Sequence, residues 1–461
     1  MSKYSKPLVF LVSVITLALL AACGAAATPE TITIVETVEV EKEVKVVETV
    51  EVEKEVVKEV EKEVVVEAQP VIYNSYQGDP EPRRVDEMLV QMFNERNPDT
   101  PIQHSIINHE DFKQAIRAYL VADPAPDVMT WFAGNRARFF IDKGLIMDIS
   151  DVWEQEGWIE KYPKGFLALS TVDDKQYFLP SSWYWWAMFY RKSIFEENGI
   201  TPPETWDELL TACDTLNENG IIPIAIGTKY RWTAAAWFDY INMRLNGPQF
   251  HLDLMLGKES YDDPRVKAVF EKWNELFEHN CFNEDAAAYD WNEAVGFLGR
   301  GEAAMYLMGQ FITDSPDLGD EAKADLDFFR FPIIDPDMPI GEDAPTDGFF
   351  MSVNAQNPEG GKKFLAFLGS EEAQTIMVKE LGRLPVDPNV DPALFNDMQL
   401  KGIELIQGAD LVLQFYDRDT TPEMADVGMN GMMAFWDDPA AIDDILADLE
   451  ATRQEVFAEQ E

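Results

Sequence analysis

The side chains with the widest catalytic repertoire are scarce in this 461-residue sequence. The four histidines, His104, His109, His251 and His279, are scattered, and the three cysteines stand at 23, 213 and 281. No HExxH pair is present to hold zinc, no GxSxG turn to present a nucleophile and no GxxxxGK[ST] loop to cradle a phosphate. Neither a metal nor a cofactor is therefore expected. What does gather is aromatic rings beside polar groups. Trp183-Tyr184-Trp185-Trp186 places four rings in a row, and Ser75-Tyr76-Gln77, Asn108-His109-Glu110 and the stretch from Trp131 through Asn135 to Arg136 each follow an apolar segment. Rings stack on apolar C–H faces, while Asp, Glu, Asn, Gln and Arg exchange hydrogen bonds with hydroxyls, so a pocket with both holds a ligand that offers both. In extended chain alternate residues face opposite sides. At most half of the 183–186 run can then line a pocket, and Trp185 is taken as its candidate. Glycoside hydrolysis needs only two carboxylates about 5 to 9.5 Å apart, which makes a secreted glycosidase the enzymatic alternative.

Composition narrows the partners. There are 84 Asp and Glu against 37 Lys and Arg, a formal net charge of -47, which repels nucleic acid phosphates and anionic membrane surfaces. With 46% hydrophobic residues the chain still has material for two cores. At the N-terminus Lys3 and Lys6 precede the apolar run Leu8 to Leu20, too short to span a bilayer comfortably and typical of a secretory signal. Its ending, Leu20-Ala21-Ala22-Cys23, resembles a bacterial lipobox. That resemblance implies removal of residues 1–22 and diacylation of Cys23, and two acyl chains, at about 0.8 kcal/mol per buried methylene, anchor a protein stably. Cys213 and Cys281 then sit in an oxidising compartment where pairing is allowed. Cys213 also shares an apolar helical face with Leu209, Leu210 and Leu216, so a disulfide and two separate buried thiols both remain open.

The elements that must position these residues begin after a repetitive tract. Val35 to Val44 reads VETVEVEKEV, and Val47 to Val56 repeats it. Alternating Val and charge without aromatic residues or turn signals reads as a self-repelling spacer, so 23–69 is expected to be a lipid-anchored linker of a monomer. A structural surface lipoprotein is the third reading, and this tract is its main support. From Val71 on, strands alternate with amphipathic helices: Val71 to Tyr76, then the periodic Val85, Met88, Leu89, Met92 and Phe93, then Pro101 to Ile107, a helix around Phe112 and Ile116, and the strand Asp127 to Trp131. This order predicts a doubly wound, mostly parallel sheet with ligands beyond the carboxyl ends of its strands. A second α/β unit follows Pro180. It opens with the capping box Thr205 to Glu208 and continues through strands at Ile221 to Ile226 and Ala303 to Met308.

The order of motifs resembles the extracellular solute-binding proteins of the sugar-binding type, the family that includes maltose-binding protein. The likeness rests on Pro126-Asp-Val-Met-Thr-Trp131 with Gly144 to Asp148, on Gln176 to Pro180, on Phe189 to Lys192, and on Pro203-Glu-Thr-Trp-Asp-Glu-Leu209. Gly301-Glu-Ala-Ala-Met305 with Gly309-Gln-Phe311 and Ser370 to Gln374 complete it. It implies a two-lobed, periplasmic-binding-protein-like α/β fold with hinge strands and a ligand cleft, serving the permease of an ABC importer and not catalysing a reaction. Lobe one would be 71–180 plus 347–386, and lobe two 181–346 plus 387–461. By the same likeness Trp232, Phe311, Trp436 and Trp131 would stack on the ligand, with Asn135 and Arg136 as a polar pair and Asp347 and Arg383 as further contacts. The aromatic wealth and the absence of clustered Lys or Arg point to a neutral mono- or oligosaccharide.

Overall fold

The computed structural model describes residues 31–33, 63–65 and 69–458. The signal segment, Cys23 and nearly all of the repeat tract lie outside the described residues. Within that tract Thr31–Thr33 pairs antiparallel with Glu63–Val65.

From Gln69 onward two sheets form, each covered by helices. In the first, β1 (Val71–Ser75) leads into α1 (Pro80–Arg96), β2 (Ile102–Ile106), α2 (His109–Val121) and β3 (Val128–Phe132). α1 starts where Pro80 supplies a preset φ and needs no amide donor. α2 starts where the Asn108 side chain accepts from the Asp111 amide. β1 runs parallel to both β2 and β3, as the alternation of elements required. The sheet is then extended by antiparallel strands from later in the chain, β4 (Leu179–Trp183), β9 (Thr346–Met351) and β10 (Leu384–Pro385), in the order β10-β4-β9-β3-β1-β2. Its two faces bury separate clusters, one around Tyr73, Trp153 and Phe364 and the other around Phe112, Trp131 and Phe350.

The second sheet has the order β6-β7-β5-β8, where β5 is Trp186–Arg191, β6 is Ile222–Ile224, β7 is Ala303–Gly309 and β8 is Leu326–Phe329. Around it pack α3 (Trp232–Asn246), α4 (Pro264–Glu278), α5 (Trp291–Gly299) and, from the C-terminal part, α7 (Pro422–Asp437) and α8 (Ile442–Ala458). Between β10 and these last helices lie the helix Asp397–Gln407, the short strand Leu411–Leu413 and a single helical turn, α6 (Tyr416–Asp419). The capping box of Thr205 and Glu208 is present at the helix Trp206–Glu218. That helix is tied by the Cys213–Cys281 disulfide, with Cα atoms 5.3 Å apart, to the loop whose Cys281 carbonyl accepts from Ile224 at the sheet edge. The chain passes between the sheets at 183–186, at 329–346 and after Pro385. Sheet one keeps its first-pass strand through Trp183, three residues past Pro180.

Candidate functional site: an aromatic and acidic cleft between the sheets

A cavity of about 320 Å³ opens between the two lobes. Lobe one contributes the turn after β1, with Tyr76, Gln77 and Asp79, and the start of α2, with Asn108, His109, Glu110 and Lys113. Both lie beyond the carboxyl ends of parallel strands, where backbone amides and polar loop side chains are left free for a ligand. Asp347 on β9 and Arg383 just before β10 complete that wall. The opposite wall is aromatic. Trp186 stands edge-on to Trp232 at 6.0 Å and to Phe311 at 6.0 Å and stacks on Phe415 at 4.6 Å, while Trp291 and Tyr184 meet Phe311 edge-on at 5.1 and 5.3 Å. One close approach sets the Asp290 side of the wall. A Cβ on Gly227, in the segment between β6 and Trp232, would lie 2.2 Å from the Asp290 carbonyl oxygen, so only glycine lets the two segments meet.

Every cation that lines the cavity already has an anionic partner. Lys113 lies 3.0 Å from Asp417 and 3.4 Å from Glu110, Arg383 lies 2.8 Å from Asp314, and Arg418 lies 2.9 Å from Asp347 while its guanidinium covers Phe132 at 4.2 Å. Burial would raise the Glu110 carboxyl, but Lys113 and His109 outweigh it and hold it at about 2. For Asp314 burial wins over the facing Arg383 and pushes the carboxyl up to about 6. Burial alone would lower the Arg418 guanidinium, yet Tyr184 and Asp347 keep it above its usual range. Among the described residues no three His, Cys, Asp or Glu side chains gather as a metal would require. The arrangement can stack a ring and accept hydrogen bonds from its hydroxyls.

The cavity brings together Tyr76, Gln77, Asn108, Glu110, Trp232, Phe311, Asp347 and Arg383 from the residues singled out in the sequence. The others are placed elsewhere. Trp131 is fully buried in lobe one, stacked on Phe132 at 4.6 Å, because β3 is a central strand covered on both faces. Trp185 is likewise fully buried. The alternation in the 183–186 run holds, but Tyr184 and Trp186 face the cavity while Trp185 packs on the helix Asp397–Gln407, where a Cβ on Gly402 would come within 2.4 Å of its ring. Trp436 lies against Phe277 and Phe282, each at 4.8 Å, in a different groove beside Cys281. It sits at the end of α7, whose Met432 and Phe435 bury against lobe two. The late aromatic that reaches the cavity is Phe415. Asn135 and Arg136 do not line the cavity; they donate to the carbonyls of Asp419 and Asp417, at 3.0 and 2.8 Å, and so fix the turn that carries Asp417 and Arg418. Sequence reasoning also missed Asp79, Lys113, Asp290, Trp291, Asn292, Asp314 and Arg418. Only the mixed aromatic and charged run Phe415 to Asp419 carried a legible signal for its members.

Two helix-covered sheets joined by three crossings, with a polar and aromatic cavity at their junction, define a two-lobed ligand-binding protein of the periplasmic-binding-protein class. The model of the bacterial extracellular solute-binding protein family matches residues 78–375, more than half of the chain, and the protein belongs to that family. It is 28% identical over 313 residues to an uncharacterized ABC transporter extracellular-binding protein of Pyrococcus horikoshii, covering 66% of this chain and 69% of that one. A xylose/arabinose-binding protein of Haloferax volcanii is 24% identical over 67% of this chain and 68% of its own length. Among solved structures, the bacterial solute receptor AcbH, described as having an exclusive preference for β-D-galactopyranose, superposes with a TM-score of 0.78 at 30% identity. The match covers 84% of this chain and 99% of that one. The chain thus serves in substrate binding for an ABC-type importer, outside the cytoplasm.

Proposed function

We propose that the protein captures a neutral mono- or short oligosaccharide in the cleft and delivers it to the permease without transforming it. The carrying observation is a wall of stacked and edge-on rings facing an acceptor-rich wall whose lining cations are all paired with carboxylates. Sugar rings match such walls with their C–H faces and hydroxyls, and about 320 Å³ is at the small end of ligand pockets. The sugars named for the relatives above support the same reading. A thermal-shift screen over sugars, polyols, amino acids and polyamines tests it. A sugar is expected to raise Tm through binding to the folded state and to be recovered unchanged. Release of a cleaved product would favour the glycosidase, and a shift with amino acids or polyamines alone would overturn the sugar assignment.

The same reading holds the protein at the outer face of the cell membrane through a lipid on Cys23, as a monomer whose 24–69 segment is a spacer. Charged n-region, short apolar run and Leu-Ala-Ala-Cys support this. In cell fractionation the Cys23→Ala variant is expected in the medium or soluble fraction, and its retention with membranes would refute the anchor.

A further inference from the structure

Two carboxylates in the cavity differ from the rest. Asp79, in the turn after β1, and Asp290, at the start of α5, come from opposite lobes and have no Lys or Arg partner among the described residues. Asn292, two residues beyond Asp290, donates to Asp79 Oδ1 at 3.3 Å, which brings the Asp79 carboxylate against the helix end that Asp290 caps. The Asn292 Oδ1 beside them is buried with no donor of its own. Burial raises the Asp79 carboxyl and the nearby Asp290 adds to this, against the opposing pull of His109, Asn292 and Arg383. With the three lining cations held by Glu110, Asp417, Asp314 and Asp347, a negative group on a ligand finds no free positive partner in this cavity.

Resting on the sugar reading above, we infer that Asp79 and Asp290 are specificity-determining residues that form a charge filter across the cleft, admitting uncharged rings and excluding their acidic counterparts such as uronic acids. An uncharged ring offers hydroxyl donors to both carboxylates. These contacts relieve the repulsion that bringing the lobes together imposes. A ring carboxylate instead adds a third negative charge to the same partly dry space, where screening by water is weak.

The experiment isolates charge from shape. Asp79→Asn keeps an acceptor for Asn292, and Asp290→Asn keeps a side chain equally good at capping α5, so both variants should hold their melting temperature. Affinities of wild type, both single variants and the double variant are measured by calorimetry for glucose, galactose, glucuronate and galacturonate. In wild type the uronate is expected to bind on the order of tenfold or more weakly than its parent sugar, the scale of one added like charge a few ångströms away. Each single variant should narrow the gap and the double variant should nearly abolish it. A uronate that binds wild type as well as its parent, or a gap unchanged in a stably folded double variant, overturns the filter while leaving the sugar reading intact. Failure of wild type to bind any of the four, with a different sugar raising Tm, moves the comparison to that sugar and its uronate. Failure with every sugar overturns both.

Discussion

Replacing Trp232 with alanine is expected to weaken ligand binding by roughly 1 to 3 kcal/mol, about tenfold to over a hundredfold, and to lower the melting temperature as well, because the ring is buried in lobe two. The ring forms part of the cavity wall, edge-on to Trp186 and 6.2 Å from Phe311, so its loss removes both stacking area for the ligand and packing in lobe two, and the fall in affinity sets it apart from a core ring. Trp186→Ala should behave similarly in affinity, with a larger fall in stability because Trp186 also stacks on Phe415. Two tryptophans outside the cavity provide the contrast. Trp131→Ala should destabilise by about 3 to 5 kcal/mol, as expected for a fully buried ring, and Trp436→Ala should lower Tm while leaving affinity unchanged. Thermal denaturation beside calorimetric titration separates the two groups. A Trp436→Ala variant that lost affinity at unchanged Tm would place that residue back in the cleft.

The second large effect is expected at Arg418. Its guanidinium is 2.9 Å from Asp347 and lies over Phe132, so it joins the turn of α6 to β9 and to the end of β3 at the cavity floor. Removing one partner of a buried pair leaves the other charge uncompensated, so Arg418→Ala is expected to destabilise by about 3 to 5 kcal/mol and to loosen the cavity that Asp417 and Phe415 help form. Arg418→Lys keeps the charge but lacks the planar group that stacks on Phe132, and should fall between the two. Denaturant unfolding with titration of the same samples checks the order. An Arg418→Ala variant as stable and as avid as wild type would show that the pair holds nothing in place.

Much of this organisation could be read from the residues in line. The apolar periodicities around Val85 and Phe93, the capping box at Thr205 and the strand at Ala303 have local causes, namely side-chain spacing and unsatisfied helix-end amides, and each produced the expected element. Residues at the ends of strands were legible as cavity residues for the same reason. Tyr76, Gln77, Asn108 and Glu110 lie where a parallel βαβ unit leaves loop side chains free, and that follows from chain order alone.

The phase of the tryptophans was decided elsewhere. Whether Trp185 or its neighbours face the cavity depends on the arrival of Gly402 from more than two hundred residues later, and a run of four aromatic residues has no charged member to mark which side is wet. Trp131 lies on a strand that β9 and β1 make central by pairing on either side, and its ring is buried by Phe112, Phe140 and Phe350 packed over that face. The charges of the site are equally non-local: Lys113 meets Asp417, Arg383 meets Asp314, and Asp79 meets Asn292 across separations that no short motif spans. By itself, then, the sequence determined the alternating helices and strands, because periodicity and caps are properties of neighbouring residues, and its ordered motifs carried the resemblance that implied two lobes. Only the tertiary structure decided which rings line the cleft and which carboxylates remain without a cation, because packing and ion pairing join residues that are distant along the chain.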